Sequence, residues 1–194
     1  MKRFLGYFAV LFCVLGYLFL PSAASAQAGV TADVRAAISG KYQGAAGVGT
    51  PTFPLSVNGL LRLSPGTGGG KADKLYAADR TLAASASESL DLAGSLSDPL
   101  GASLTFVKVK AILVIASSAN TNNVVLGGAA SNGFFGPFAD ATDKAVIPPG
   151  GALLLTNPGA GWTVTATTGD LLQVANSAAG SSVAYRIVIV GASA

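Results

Sequence analysis

The 194 residues are enough for one domain with a real core, and they are 51% hydrophobic but only 11% charged, well below the roughly 25% charged residues usual in a soluble domain. With no histidine and one cysteine, Cys13, which lies in the amino-terminal apolar run, a Ser-His-Asp triad, a cysteine nucleophile in the folded domain and an ordinary zinc site are excluded. The formal charge is +3, but setting aside Lys2 and Arg3 leaves ten scattered basic residues against nine acids, a net of +1 with no basic patch interleaved with aromatics, so a nucleic-acid partner is not expected.

Residues 1–26 have the three parts of a secretory leader: the positive Lys2 and Arg3, the apolar run Phe4–Leu20, and a small-x-small ending at Ala24-Ser25-Ala26, which predicts cleavage before Gln27. A retained membrane anchor through residues 4–20 is the rival reading, because such a run is near the short limit for a bilayer span. The amino-terminal residue of the exported protein, Gln27 or Met1, separates the two. Bulky Phe12 before Cys13 argues against a lipoprotein signal.

Residues 27–70 read as an arm and linker. Thr31–Ile38 has a helical pattern, with Thr31 as N-cap, Asp33 in the first turn, Val30, Val34 and Ile38 on one side, and Gly40 as a stop. Two turns do not persist alone, so the stripe calls for a covering surface. Gly44–Gly49 is a flexible joint, Pro51-Thr-Phe53-Pro54 stiffens the chain, and Leu55–Leu63 fits either a strand or a short helix before the Pro65–Gly70 separator. The segment is either a loose linker or an arm that docks on a neighbouring subunit.

From Lys71 to Ala194 short strands alternate with turns, the signature of a sandwich or barrel. Lys74–Tyr76 and Ser87–Leu92 are the first strands, and Asp98-Pro-Leu-Gly101 is a turn in which Pro99 sets φ and Gly101 closes. Leu104–Ile115 is the central strand, with Val107, Val109, Ala111, Leu113 and Ile115 predicted on the buried face and Lys108 and Lys110 on the opposite one. A polar loop, Ser117–Asn123, leads to Val124–Leu126, and Phe134, Phe135 and Phe138 form a hydrophobic plug at a turn. Pro148–Gly151 and Asn157–Gly161 reverse the chain around Ala152–Thr156; Trp162–Thr165, Leu171–Val174 and Val183–Val190 complete the set. The expectation is an all-β, about eight-stranded antiparallel β-sandwich, jelly-roll-like, preceded by a short helical or extended amino-terminal arm.

The chemistry-bearing residues spell out no reaction. Asp73, Asp79, Asp91, Asp140, Asp143 and Asp170 fall beside turns or strand ends, the usual place of solvated acids rather than of a glycosidase pair. Asp140-Ala-Thr-Asp143 lacks the spacing and the glutamate of a calcium loop, and Gly66–Lys71 lacks that of a phosphate loop. No enzyme activity, cofactor or metal is expected. The tentative interaction residues are Val30, Val34, Ile38, Phe53, Phe134, Phe135, Phe138 and Trp162, the aromatics as packing groups before sugar platforms.

Leu63-Ser-Pro-Gly-Thr-Gly68, Lys71-Ala-Asp-Lys-Leu-Tyr-Ala-Ala-Asp-Arg-Thr-Leu-Ala-Ala-Ser85, Ser89-Leu-Asp-Leu-Ala-Gly94, Ile147-Pro-Pro-Gly-Gly151 and Tyr185-Arg-Ile-Val-Ile-Val-Gly191 together resemble an uncharacterised family of bacteriophage virion proteins encoded among head and tail genes. The likeness spans most of residues 31–194, in turn and strand motifs rather than catalytic signatures, and the leader departs from the family's pattern. The resemblance and the lack of polar clusters favour a structural subunit of a virion or extracellular assembly, exported or in a virion, among other virion or surface proteins. The uncovered Val30, Val34 and Ile38 stripe and the lack of lysine-rich sheet edges predict that it self-associates. A ring is expected, a trimer as first guess. The alternative is an exported β-sandwich binding a surface glycan or protein through its loops.

Overall fold

In the computed structural model, residues 29–45, 47 and 49–194 are described; the predicted leader, residues 1–26, lies outside them. All regular structure among the described residues is β. In chain order the strands are β1 (Ala32–Gln43), β2 (Thr52–Pro65), β3 (Lys71–Ala72), β4 (Lys74–Leu82), β5 (Ser87–Asp91), β6 (Leu96–Ser97), β7 (Ser103–Leu104), β8 (Lys108–Ala116), β9 (Val124–Gly127), β10 (Lys144–Ile147), β11 (Ala152–Thr156), β12 (Trp162–Thr163), β13 (Leu171–Asn176) and β14 (Val183–Ala192). One sheet runs β11-β8-β14-β4, with β12 added beside β8, and the other runs β10-β9-β13-β5. Numbering those eight long strands by chain order gives first-eighth-third-sixth in one sheet and second-seventh-fourth-fifth in the other. This is the strand order of a jelly roll, all of it antiparallel.

The core lies between the sheets. Tyr76, Ile112, Val114, Ile187 and Ile189 from one side meet Leu90, Val124, Leu126, Leu172 and Val174 from the other in a single buried cluster. Strand β14 shows why: Val183, Tyr185, Ile187 and Ile189 alternate inward, as the period-two pattern predicts, while Ala184 and Arg186 face out. At the ends of β13 and β9 the buried Asn176 is fully used, its amide donating to Ala83 O at 2.9 Å and Ser181 O at 2.8 Å and its oxygen accepting from Asn122. A buried amide without such partners would destabilise the domain by roughly 1–3 kcal/mol.

The central strand departs from its expected facing. Val190 pairs with Ala111, but the next residue, Gly191, pairs with Val109, so Lys110 is an extra residue, a β-bulge. The bulge shifts the alternation by one place, and a one-place shift exchanges the faces of everything that follows. Val109 is in the core as predicted. Beyond the bulge Ile112, Val114 and Ala116 turn inward, whereas Leu113 is half-buried and Ile115 exposed on the outer face; Val107, before it, is exposed too. Lys110, predicted to be wet, is 2% exposed. Its ammonium donates to Gly159 O at 2.5 Å, and burial, with Lys108 nearby, pulls its pKa below the ordinary lysine value. Gly191 is required here, because a Cβ would fall 2.2 Å from Lys108 O and 2.6 Å from the Phe106 ring.

The arm departs further. Thr31–Ile38 forms no helix: β1 pairs with β2 through twelve consecutive antiparallel partners, from Ala32↔Leu63 to Gln43↔Thr52, without a register shift. The two strands close as a hairpin, Gly44 N–H donating to Pro51 O at 3.0 Å. At ~3.4 Å per residue the ladder is about 40 Å long.

The corrected facing generates a stability contrast. Ile112→Ala should destabilise the protein by about 2–5 kcal/mol, and Ile115→Ala, on the exposed face, by under about 1 kcal/mol. Chemical denaturation of the two variants measures this, and equal losses would contradict the bulge.

Candidate functional site: an amphipathic arm and the sheet face at its root

The unbroken β1–β2 register sorts the arm's side chains by face, since directly opposed residues point the same way. One face carries the pairs Ala32/Leu63, Val34/Leu61, Ala36/Gly59, Ile38/Val57, Gly40/Leu55 and Tyr42/Phe53, with no charged side chain among them and the Tyr42 hydroxyl as its one polar group. The other carries Asp33/Arg62, Arg35/Leu60, Ala37/Asn58, Ser39/Ser56, Lys41/Pro54 and Gln43/Thr52. Asp33 there contacts Arg35 at 3.2 Å and Arg62 at 3.5 Å; being exposed, these pairs add little to stability. The hairpin is thus amphipathic from root to tip.

Only the root is covered. Leu63 is buried with Ala72, Ala111 and Val190 in a second cluster, and Val30, Ala32, Val34, Leu61, Leu75 and Val188 pack around it. Val30 also bridges to Ala72. The root therefore sits on the outer face of the β11-β8-β14-β4 sheet, the face to which the bulge turns Ala111 and Leu113. Beyond it Ile38, Tyr42, Phe53, Leu55 and Val57 stand 44–76% exposed. Beside the root a groove of ≈ 420 Å³ is lined by Leu75, Leu113, Leu154 and Val188.

Of the predicted interaction residues, the fold gathers Val30, Val34, Ile38 and Phe53 on the arm's apolar face, the first two half-buried at the root and the last two exposed distally. Tyr42, Leu55 and Val57 share that face and were not singled out from the sequence. The aromatics are placed elsewhere. Phe134 is buried in the core and Phe138 packs against it, while half-buried Trp162 and exposed Phe135 flank a shallow groove of ≈ 400 Å³ with Thr163, Thr165 and Thr168.

The strongest electrostatic feature joins the two sheets at their β4 and β5 edges. Arg80 on β4 grips the Glu88 carboxylate on β5, and the Tyr185 hydroxyl donates to Glu88 Oε1 at 2.5 Å. Burial pushes the Glu88 carboxyl up, but the hydrogen bonds from Arg80 and Tyr185 outweigh it and hold the pKa below the ordinary value. Burial and the bond to Glu88 raise Tyr185. Both carboxylate oxygens accept, so this is a satisfied cross-link. Asp79, expected beside a turn, sits inside β4 and pairs with Arg186 at 2.7 Å. The Asp140–Asp143 turn closes on itself, Asp143 Oδ2 accepting from Asp140 N–H and Asp140 Oδ1 from Thr142 N–H, each at 2.9 Å. No group of three or more His, Cys, Asp or Glu among the described residues is placed to hold a metal ion, and no helix among them is long and apolar enough to cross a membrane.

No protein-family model matches the chain, and neither does any curated protein or solved structure.

The inter-sheet cross-link generates an acid prediction. Because the folded pKa of Glu88 lies below its ordinary value of 4.5, its stabilisation is complete above that pH and is lost as pH falls through the folded pKa. Glu88→Gln should be less stable at neutral pH, and its denaturation midpoint should fall less steeply on acidification below pH 4.5. Parallel acid limbs in wild type and variant would contradict the assignment.

Proposed function

We propose that the protein is a non-enzymatic structural subunit of a virion or extracellular assembly and works by self-association. The observation that carries this is the half-covered apolar stripe of the arm. A two-stranded hairpin is marginal in water by itself, and one that leaves Ile38, Tyr42, Phe53, Leu55 and Val57 exposed is stabilised by a surface that covers them. The low charge of the jelly roll and the likeness of its turn and strand motifs to phage virion proteins encoded among head and tail genes support the same reading.

Magnitudes favour a closed assembly over a single contact. One apolar strip must by itself offset the about 4–15 kcal/mol that association costs in lost freedom. A symmetric pair or ring, the trimer included, in which every copy gives one arm and receives another, multiplies the contact without new surface.

The alternative, a loop-borne site for a glycan or protein, rests on the groove between Phe135 and Trp162. Sedimentation separates the two readings. The mature protein should be oligomeric at micromolar concentration, and Ile38→Thr/Phe53→Thr/Val57→Thr, which keeps β-forming residues on the arm, should shift it to monomer. A monomeric wild type whose Trp162 fluorescence responds to an oligosaccharide would overturn the structural reading in favour of the binding module.

A further inference from the structure

Two apolar surfaces of this chain lack full cover, one exposed on the arm and one half-buried in the groove beside the arm's root. The first is the distal arm, where Ala36/Gly59, Ile38/Val57, Gly40/Leu55 and Tyr42/Phe53 follow one another, a strip about 20 Å long at ~3.4 Å per residue. The second is the outer face of the β11-β8-β14-β4 sheet beyond the root, where Leu154, Leu113 and Val188 lie side by side in one cross-strand row and Ile115 begins the next. Leu113, Leu154 and Val188 are half-buried and Ile115 is 39% exposed.

The root already shows the two surfaces in contact: Val34, Leu61 and Leu63 of the same stripe pack on Ala111, Val188 and Val190 of the same sheet face. The distal strip continues that packing chemistry, with the small residues Ala36, Gly40 and Gly59 set between large ones. One chain does not bring the two together, because the twelve-pair ladder runs on without a shift that would fold the tip back; the distal strip stays exposed and the groove beside the root stays open. A lipid bilayer fits less well. The uncovered stretch Ala36–Tyr42 rises about 14 Å at a ~45° tilt, under half of the ~30 Å hydrocarbon core.

We infer that the distal apolar face of the arm seats on the outer sheet face of a second copy, over Leu113, Ile115, Leu154 and Val188, sheet against sheet at the usual separation of about 10 Å. The inference rests on the self-association reading and names its contact. The arm links copies as a clasp, and each copy offers both the clasp and its seat.

The test mixes two variants of the full chain, Val57→Cys and Ile115→Cys, each also carrying Cys13→Ser, and adds a bismaleimide that spans ~10 Å, the sheet-to-sheet distance. A cross-linked dimer containing one of each variant is expected from the mixture and not from either variant alone. It should be lost when Ile38→Asp is added to the Val57→Cys chain. Cross-linking of Val57→Cys to itself, or no cross-link in a sample that sediments as an oligomer, would overturn the clasp while leaving self-association standing. A monomeric sample, with or without flotation on vesicles, would overturn both.

Discussion

One inserted residue decides what each face of the central strand does. With Lys110 bulged out of the β8–β14 ladder, Ile112, Val114 and Ala116 complete the core between the sheets, and Ala111, Leu113 and Ile115 become an apolar outer surface. Without the bulge the faces would be exchanged beyond Val109, and the charged Lys110 would stand on the outer face where Ala111 now meets the arm's root. The inserted residue is itself held in place: its ammonium is tied to Gly159 O, its carbonyl accepts from Asn157 N–H at 2.8 Å, and Gly191 opposite leaves room for the close approach of Lys108 and Phe106. The jelly roll therefore carries a second hydrophobic face in addition to the one that builds its core.

Most of the sandwich was legible because its signals are local. Asp98-Pro-Leu-Gly101 closes as predicted, Gly101 N–H donating to Asp98 O at 2.9 Å with Gly101 at φ 88, and the alternation of β14 gives its facing directly. The bulge was not legible, because an extra residue leaves no mark in composition and shows only when the partner strand is known. The arm failed for a different reason. Val30, Val34 and Ile38 recur every four residues, an interval close to the helical repeat and also an even number, so it satisfies a strand equally well. Thr31, Asp33 and Gly40, in the places of an N-cap, a first-turn acid and a stop, tipped the reading toward a helix, and the pairing with β2, twenty residues away, overrode those local signals.

The residues of the candidate surface were legible in part for the same reason. Val30, Val34, Ile38 and Phe53 stood out as apolar groups in need of cover, which depends on composition alone. Tyr42, Leu55 and Val57 join them only through the hairpin register, and Leu113 and Ile115, assigned to the core, reach the outer face only through the bulge. Phe134 and Phe138 stood out as aromatics but are packing groups of the sandwich. Which apolar residues serve cohesion within the chain and which are left for contact outside it is thus a property of strand pairing.

The most direct measurement of this account is amide hydrogen exchange of the mature protein at two concentrations, below and within the range where it associates. If the arm is a folded hairpin covered by a neighbour, exchange in residues 36–42 and 53–59 slows as concentration rises, while β8 and β14 stay protected at both. Exchange in the distal arm that is equally fast, or equally slow, at both concentrations would contradict it.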